Sequence, residues 1–157
     1  MRKLLSNGLV AFAGLVSLPL ATHPGANFTP SADYRDDPRL QSLRSFLEEG
    51  DCPVAALAGE FLRAADEHDL DWRLLPSISF VESTGGKAAK NNNLFGWDSG
   101  KAEFASMTDA IFEVAFRLTN SQLYRNKDTE GILAIYNPNA DYAQRVKAVM
   151  RRISPAE

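Results

Sequence analysis

The sequence predicts a mainly α-helical domain carrying one small β-hairpin. Apolar residues recur at helical spacing along most segments after Pro38. The one stretch that suits a hairpin is short and centred on a Ser-Gly turn. With 157 residues, 45% hydrophobic and 10% aromatic, the chain can bury a core as a single globular unit.

In "PRLQSLRSFLEEG", Leu40, Leu43, Phe46 and Leu47 fall on one face, and Gly50 is a stop signal. Asp51 is placed to cap a second helix with Pro53 in its first turn. Val54, Leu57, Phe61, Leu62 and Ala65 form its apolar side, and it ends near "DEHDLD". The third run, "DWRLLPSISFVES", has Asp71 as its expected cap. Its apolar residues, Leu74, Leu75, Ile78, Phe80 and Val81, lie around most of the circumference, which marks a buried helix. Pro76 falls early enough to be tolerated.

After Gly85 and Gly86 the pattern changes to "NNNLFGWDSGKAEFAS". Leu94, Phe95 and Trp97 precede Ser99-Gly100, and Ala102 and Phe104 follow, so a short irregular hairpin is expected. From Ser106 the stripe Ile111, Val114, Ala115 and Leu118 is helical. "DTEGILAIYN" and "DYAQRVKAVMRRI" supply two further helical segments.

The N-terminus reads as a leader. Arg2 and Lys3 precede an apolar tract from Leu9 to Ala21, the arrangement of a secretory signal and short for a membrane span of about 20 residues. Residues 1–26 are therefore expected to be a signal peptide or anchor, 27–37 a Pro/Gly/Asn/Ser/Asp-rich spacer, and 38–157 the domain. The expectation is export to the periplasm, cell wall or exterior as a monomer with no stable membrane span. Cys52 is the single cysteine, so no intramolecular disulfide can form.

Seventeen basic and 20 acidic residues make the chain mildly acidic, and losing Arg2 and Lys3 with a leader would make it more so. That balance argues against a nucleic-acid binder. His23 and His68 are far apart and no Cys/His spacing suggests a metal, so neither metal nor cofactor is expected.

The residue that stands out is Glu82, at the C-terminal end of the buried run. The helix dipole and apolar neighbours such as Ile78, Phe80 and Val81 both disfavour its charged form. A carboxylic acid still protonated near neutral pH is what glycosidic cleavage requires, because the leaving oxygen must receive a proton. Taken alone, a Glu at a helix end more often is solvated or paired, here with Lys87 or Lys90. The segment "NNNLFGW" adds amides that can bond sugar hydroxyls and aromatics that can stack on a pyranose face. Farther on, "AIYNPNADYAQRV" brings Tyr136, Asn137 and Tyr142.

In "SFVESTGGKA", "NNLFGW" and "YNPNADYAQRV" the chain resembles the lysozyme-like superfamily of peptidoglycan-cleaving enzymes, in particular the endo-β-N-acetylglucosaminidase family of autolysins. The resemblance spans roughly residues 55 to 153. It implies a lysozyme-like helical domain and a hydrolase acting on peptidoglycan glycan strands. By resemblance Glu82 is the catalytic acid, Tyr136 supports the reaction, and Asn92, Phe95 and Gly96 line the cleft. Trp97, Asn137 and Tyr142 are further candidates for substrate contact. The late "AIYNP" is similar to the lytic transglycosylases of the same superfamily. The chain departs from the glucosaminidase pattern at Thr84–Lys87 and at residues 137–141.

A second carboxylate commonly assists hydrolysis, about 5–5.5 Å away as nucleophile or about 6.5–9.5 Å away to activate water. Asp98 and Glu103 flank the Ser99-Gly100 turn, and Glu103 is the preferred candidate. With neither, one acid could serve in turn as acid and base, with a muramic 6-hydroxyl or the 2-acetamido oxygen assisting. Lys87, Lys90 and Lys101 could meet stem-peptide carboxylates. The rival readings are a non-catalytic peptidoglycan-binding or assembly protein and, given an uncleaved leader, an anchored helical interaction module.

Overall fold

The computed structural model describes residues 33–155, so the leader expected at 1–26, the first part of the spacer and the last two residues lie outside the described residues. The domain consists of α1 (Pro38–Glu49), a 3-10 turn (Pro53–Leu57), α2 (Ala58–Glu67), α3 (Leu74–Ser83), α4 (Met107–Asn120), α5 (Thr129–Tyr136) and α6 (Ala140–Ile153). The mainly helical class is as the periodicity predicts. Among the described residues no helix is long and apolar enough to cross a membrane.

Each helix buries the face that its spacing defines. In α1 these are Leu40, Leu43, Phe46 and Leu47. The α4 stripe Ile111, Val114, Ala115 and Leu118 is buried as a unit. The starts carry polar caps: Asp37 accepts from Arg39 N–H, Ser106 from Asp109 N–H, Asp128 from Gly131 N–H and Asn139 from Asp141 N–H. Each such cap satisfies an amide that the helix cannot and contributes about 1 kcal/mol.

The helix α3 is the inner one. Every residue from Leu74 to Ser79 is buried, and the helix packs on α6 and α2, while α2 also packs on α1 and α4. Pro76, third in the helix, needs no amide partner there. Asp71 is not the cap of α3 that the sequence suggests: Arg73 holds that position without a side-chain bond, and Asp71 closes the preceding turn, its carboxylate accepting from Arg73 N–H at 3.0 Å and its carbonyl from Leu74 N–H at 2.8 Å.

Two further expectations are corrected. Asp51 does not cap α2; it adopts φ 48, and the chain then makes the 3-10 turn before α2 begins at Ala58. Pro53 starts that turn, and the tighter winding delays the α-helix by a turn.

The second correction concerns the hairpin. Among the described residues there is no strand, and residues 91–101 are a succession of turns. Asn91, Asn92, Gly96, Asp98, Ser99 and Gly100 all have positive φ, which breaks the extended backbone that a ladder needs. The loop is closed instead by Gly100 N–H to Gly96 O at 3.0 Å, Phe104 N–H to Asn91 O at 3.0 Å and two asparagine side chains described below.

Two polar clusters fasten the ends. Arg39 bridges Asp37 and Asp66, with Tyr34 donating to Asp66 at 2.9 Å, so the chain before α1 is held to the end of α2. Arg73 pairs with Asp71 and donates to Ser154 O at 3.0 Å, tying the start of α3 to the end of α6.

Candidate active site around Glu82

Glu82 is the penultimate residue of α3, and the end of that helix is built to hold it. Thr84 turns the chain into the left-handed region at φ 53 and its N–H bonds Phe80 O, while Gly85 N–H bonds Ser79 O. Gly85 follows at φ +59 against Cys52, and a Cβ there would lie 2.5 Å from Sγ. Only glycine fits both the conformation and the space.

Ser83 is the joint between this helix end and the following loop. Its buried hydroxyl reaches Leu94 O at 2.8 Å and accepts from Gly86 N–H at 3.1 Å. Asn93, also buried, bonds Trp97 twice, donating to its carbonyl at 3.0 Å and accepting from its N–H at 2.9 Å. These two side chains place the Phe95-Gly96-Trp97 backbone beside Glu82.

The contact is close. A Cβ on Gly96, whose φ is +62, would stand 2.7 Å from Glu82 Oε2. Although Glu82 as a whole residue is open to solvent, its carboxyl is turned onto this backbone. Burial pushes the carboxyl above the ordinary glutamate value, opposed by the Tyr142 hydroxyl and then by the Arg145 charge. The Tyr142 hydroxyl is buried and closes no hydrogen bond of normal geometry, so its pull is too weak to reverse the effect of burial. Solvent access around the rest of the side chain limits the size of the rise.

Behind the carboxyl stands an aromatic wall. Tyr136, the last residue of α5, donates its hydroxyl to Phe95 O and is stacked on Tyr142 of α6, with centroids 5.9 Å apart and an interplanar angle of 11°. Trp97 meets Tyr136 edge-on at 5.8 Å, and Arg117 lies over the Trp97 ring at 5.5 Å. Such pairs contribute about 0.5–1.5 kcal/mol each beyond burial. Burial first, then the charge of Glu82, holds the Tyr136 phenol well above its usual value, so it serves as a neutral hydrogen-bond donor.

Glu82, Gly96, Tyr136 and Tyr142 are thus brought together, with Trp97 half-buried alongside. The other sequence candidates have different places. Phe95 is wholly buried, and its contribution is the carbonyl that Tyr136 bonds. Asn92 spends its amide on Phe104 O at 2.9 Å, and Asn137 accepts from Asn139 N–H at 3.0 Å in the turn before α6. Glu103 is exposed and accepts from Asn91 Nδ2 at 2.9 Å. Neither Glu103 nor Asp98 is among the charges acting on Glu82.

Sequence reasoning missed Ser83, Asn93 and Arg145. The "ES" pair and the middle asparagine of "NNN" were visible signals for the first two; nothing local marks Arg145. A separate pocket of about 570 Å³, lined by Pro38, Arg39, Ser42, Trp72, Arg73, Ser154 and Pro155, shares no residue with this site. Both of its guanidinium groups are already paired with carboxylates. Among the described residues no group of three or more His, Cys, Asp or Glu is gathered where it could hold a metal ion.

No protein-family model, curated protein or solved structure matches the chain.

Proposed function

We propose that the chain is an exported, lysozyme-like glycoside hydrolase that cleaves β-1,4 bonds of peptidoglycan glycan strands, with Glu82 as general acid. The observation that carries this reading is the Glu82 carboxyl, held against Gly96 and pushed toward its protonated form beside a neutral tyrosine pair. Glu82 gives its proton to the glycosidic oxygen as the C–O bond breaks, and positive charge develops at the anomeric carbon. Tyr136 acts on this step through the Phe95 backbone, and Trp97 offers a half-buried ring to a sugar face. Export is supported by the basic and apolar N-terminal pattern.

A second reading, anhydro-forming lytic transglycosylation, is favoured by one observation: of the two candidate second carboxylates, Glu103 is held by Asn91 on the exposed loop, and neither it nor Asp98 is among the charges felt at Glu82. After the first proton transfer, the Glu82 carboxylate would then take a proton back from the attacking group. With a muramic 6-hydroxyl as that group the product is a 1,6-anhydro sugar; with water it is a reducing end. The test is to digest purified sacculi with the protein and with Glu82→Gln and identify the soluble fragments by mass. Reducing GlcNAc or MurNAc ends, or anhydro-MurNAc ends, that disappear in the variant support the enzyme and name the bond. Binding by both proteins with release by neither makes a non-catalytic peptidoglycan-binding protein the better account.

A further inference from the structure

We infer that Arg145 forms an anion subsite beside Glu82, which receives a carboxylate carried by the glycan strand and makes the site selective for charged over neutral strands. The inference rests on the proposed function for the identity of the polymer. Arg145 lies one turn into α6, exposed, with its guanidinium carbon 5.7 Å from the centroid of the Tyr142 ring. Tyr142 is thus in contact with both Tyr136 and Arg145, and the Arg145 charge is felt at the Glu82 carboxyl.

Its pairing is what sets it apart. Asp141 is four residues earlier on the same helix, the spacing at which an Arg and an Asp ordinarily meet. Arg145 lies over Tyr142 instead, and among the described residues no carboxylate comes within ion-pair distance of it. Its neighbour Lys147, by contrast, is taken up by Glu130 at 2.7 Å. An exposed guanidinium beside a ring and without an ion-pair partner has its N–H fork free for a carboxylate, which it can bind in two parallel hydrogen bonds.

The placement also explains why a cation stands near an acid that must keep its proton. The groups acting on Glu82 are Tyr142 and Arg145 from α6, with Tyr136 of α5 feeling the Glu82 charge in turn. Unpaired, Arg145 favours the carboxylate form of Glu82. Once a strand carboxylate neutralises it, that influence is withdrawn and Glu82 holds its proton to higher pH. The acid is then most effective when a charged strand is in place.

The experiment uses the full chain in a Glu82→Gln background, so that binding is read without turnover, and measures sedimentation with purified sacculi. Arg145→Gln should weaken binding about tenfold, and Arg145→Lys should restore part of it. Sacculi whose carboxyls have been amidated should bind both proteins equally and weakly. Arg44→Gln, an exposed cation on α1, controls for net charge and should bind as the parent does. Strands stripped of stem peptides, on which hydrolysis of the lactyl–peptide amide has freed the lactyl carboxylates, separate the two sources: Arg145 dependence on them shows that a lactyl carboxylate is accepted, and its loss assigns the stem carboxylates.

The inference is overturned if Arg145→Gln binds unmodified sacculi as tightly as its parent, if it loses amidated sacculi equally, or if Arg44→Gln weakens binding as much. Fragment release by the Glu82→Gln protein would sink the acid assignment and leave this comparison intact. A second readout is the pH profile of the protein with Glu82 intact. Its alkaline limb should lie higher on charged than on amidated strands, and the two should coincide in Arg145→Gln.

Discussion

Gly96 and Glu82 pack so closely that any side chain on Gly96 would intrude on the Glu82 carboxyl, with a Cβ 2.7 Å from Oε2. Gly96→Ala must also hold φ +62, which alanine resists. The expected cost is about 1–2 kcal/mol of stability. The larger effect should be on function, since the carboxyl has to move; fragment release from sacculi should fall well below that of the parent at a temperature where circular dichroism shows the variant folded.

Ser83→Ala removes the hydroxyl that Leu94 O and Gly86 N–H share. Two buried backbone groups are left without that partner, at about 1–3 kcal/mol. Urea denaturation should show the loss as a lower midpoint with an unchanged slope. Wild-type stability in Ser83→Ala would mean that water or another group replaces the hydroxyl.

Tyr136→Phe keeps the ring stack and deletes the bond to Phe95 O. The orphaned carbonyl again costs about 1–3 kcal/mol. Because the ring remains, near-ultraviolet circular dichroism should be retained while activity falls. A variant that loses stability and keeps full activity would make Tyr136 a structural residue only.

Glu82 sets a pH dependence whose sign is determined. Its folded value is raised above the ordinary 4.5, so the fold favours the protonated form. The stabilisation from that proton is complete below the unfolded value and is lost as pH rises through the folded one. Glu82→Gln should therefore match the parent below about pH 4.5 and become progressively more stable than it above. Thermal melts of both proteins across this range check it; a gap that widens toward acid pH would reverse the assigned shift. Activity dependent on the acid should likewise decline on the alkaline side of the raised value.

The helices were readable because most carry one buried stripe, four of them behind a polar cap, and the all-round apolar composition of α3 identified it as the inner helix. The loop was not. Alternation around Ser99-Gly100 suggests strands, but Asn91 and Asn92 before Leu94-Phe95 tolerate left-handed backbone, and the amides of Asn92 and Asn93 close the turns. For the same reason an amide-rich segment that reads as a set of sugar contacts spends Asn92 and Asn93 on its own backbone. Glu82 could be singled out from a helix end, whereas Arg145 is an ordinary surface charge until α6 packs on α3. Tertiary contact, which no local pattern encodes, creates its position.

Around the acid, each group constrains the next and the last returns to the first. Glu82 abuts Gly96, the adjoining Phe95 carbonyl is fixed by Tyr136, Tyr136 lies on Tyr142, and Tyr142 faces Glu82. Mechanically this is a chain of contacts bent back toward its start, so that a shift at one member is felt by its neighbours. With Gly100 N–H also bonded to Gly96 O, the long irregular segment becomes compatible with a well-defined reacting atom.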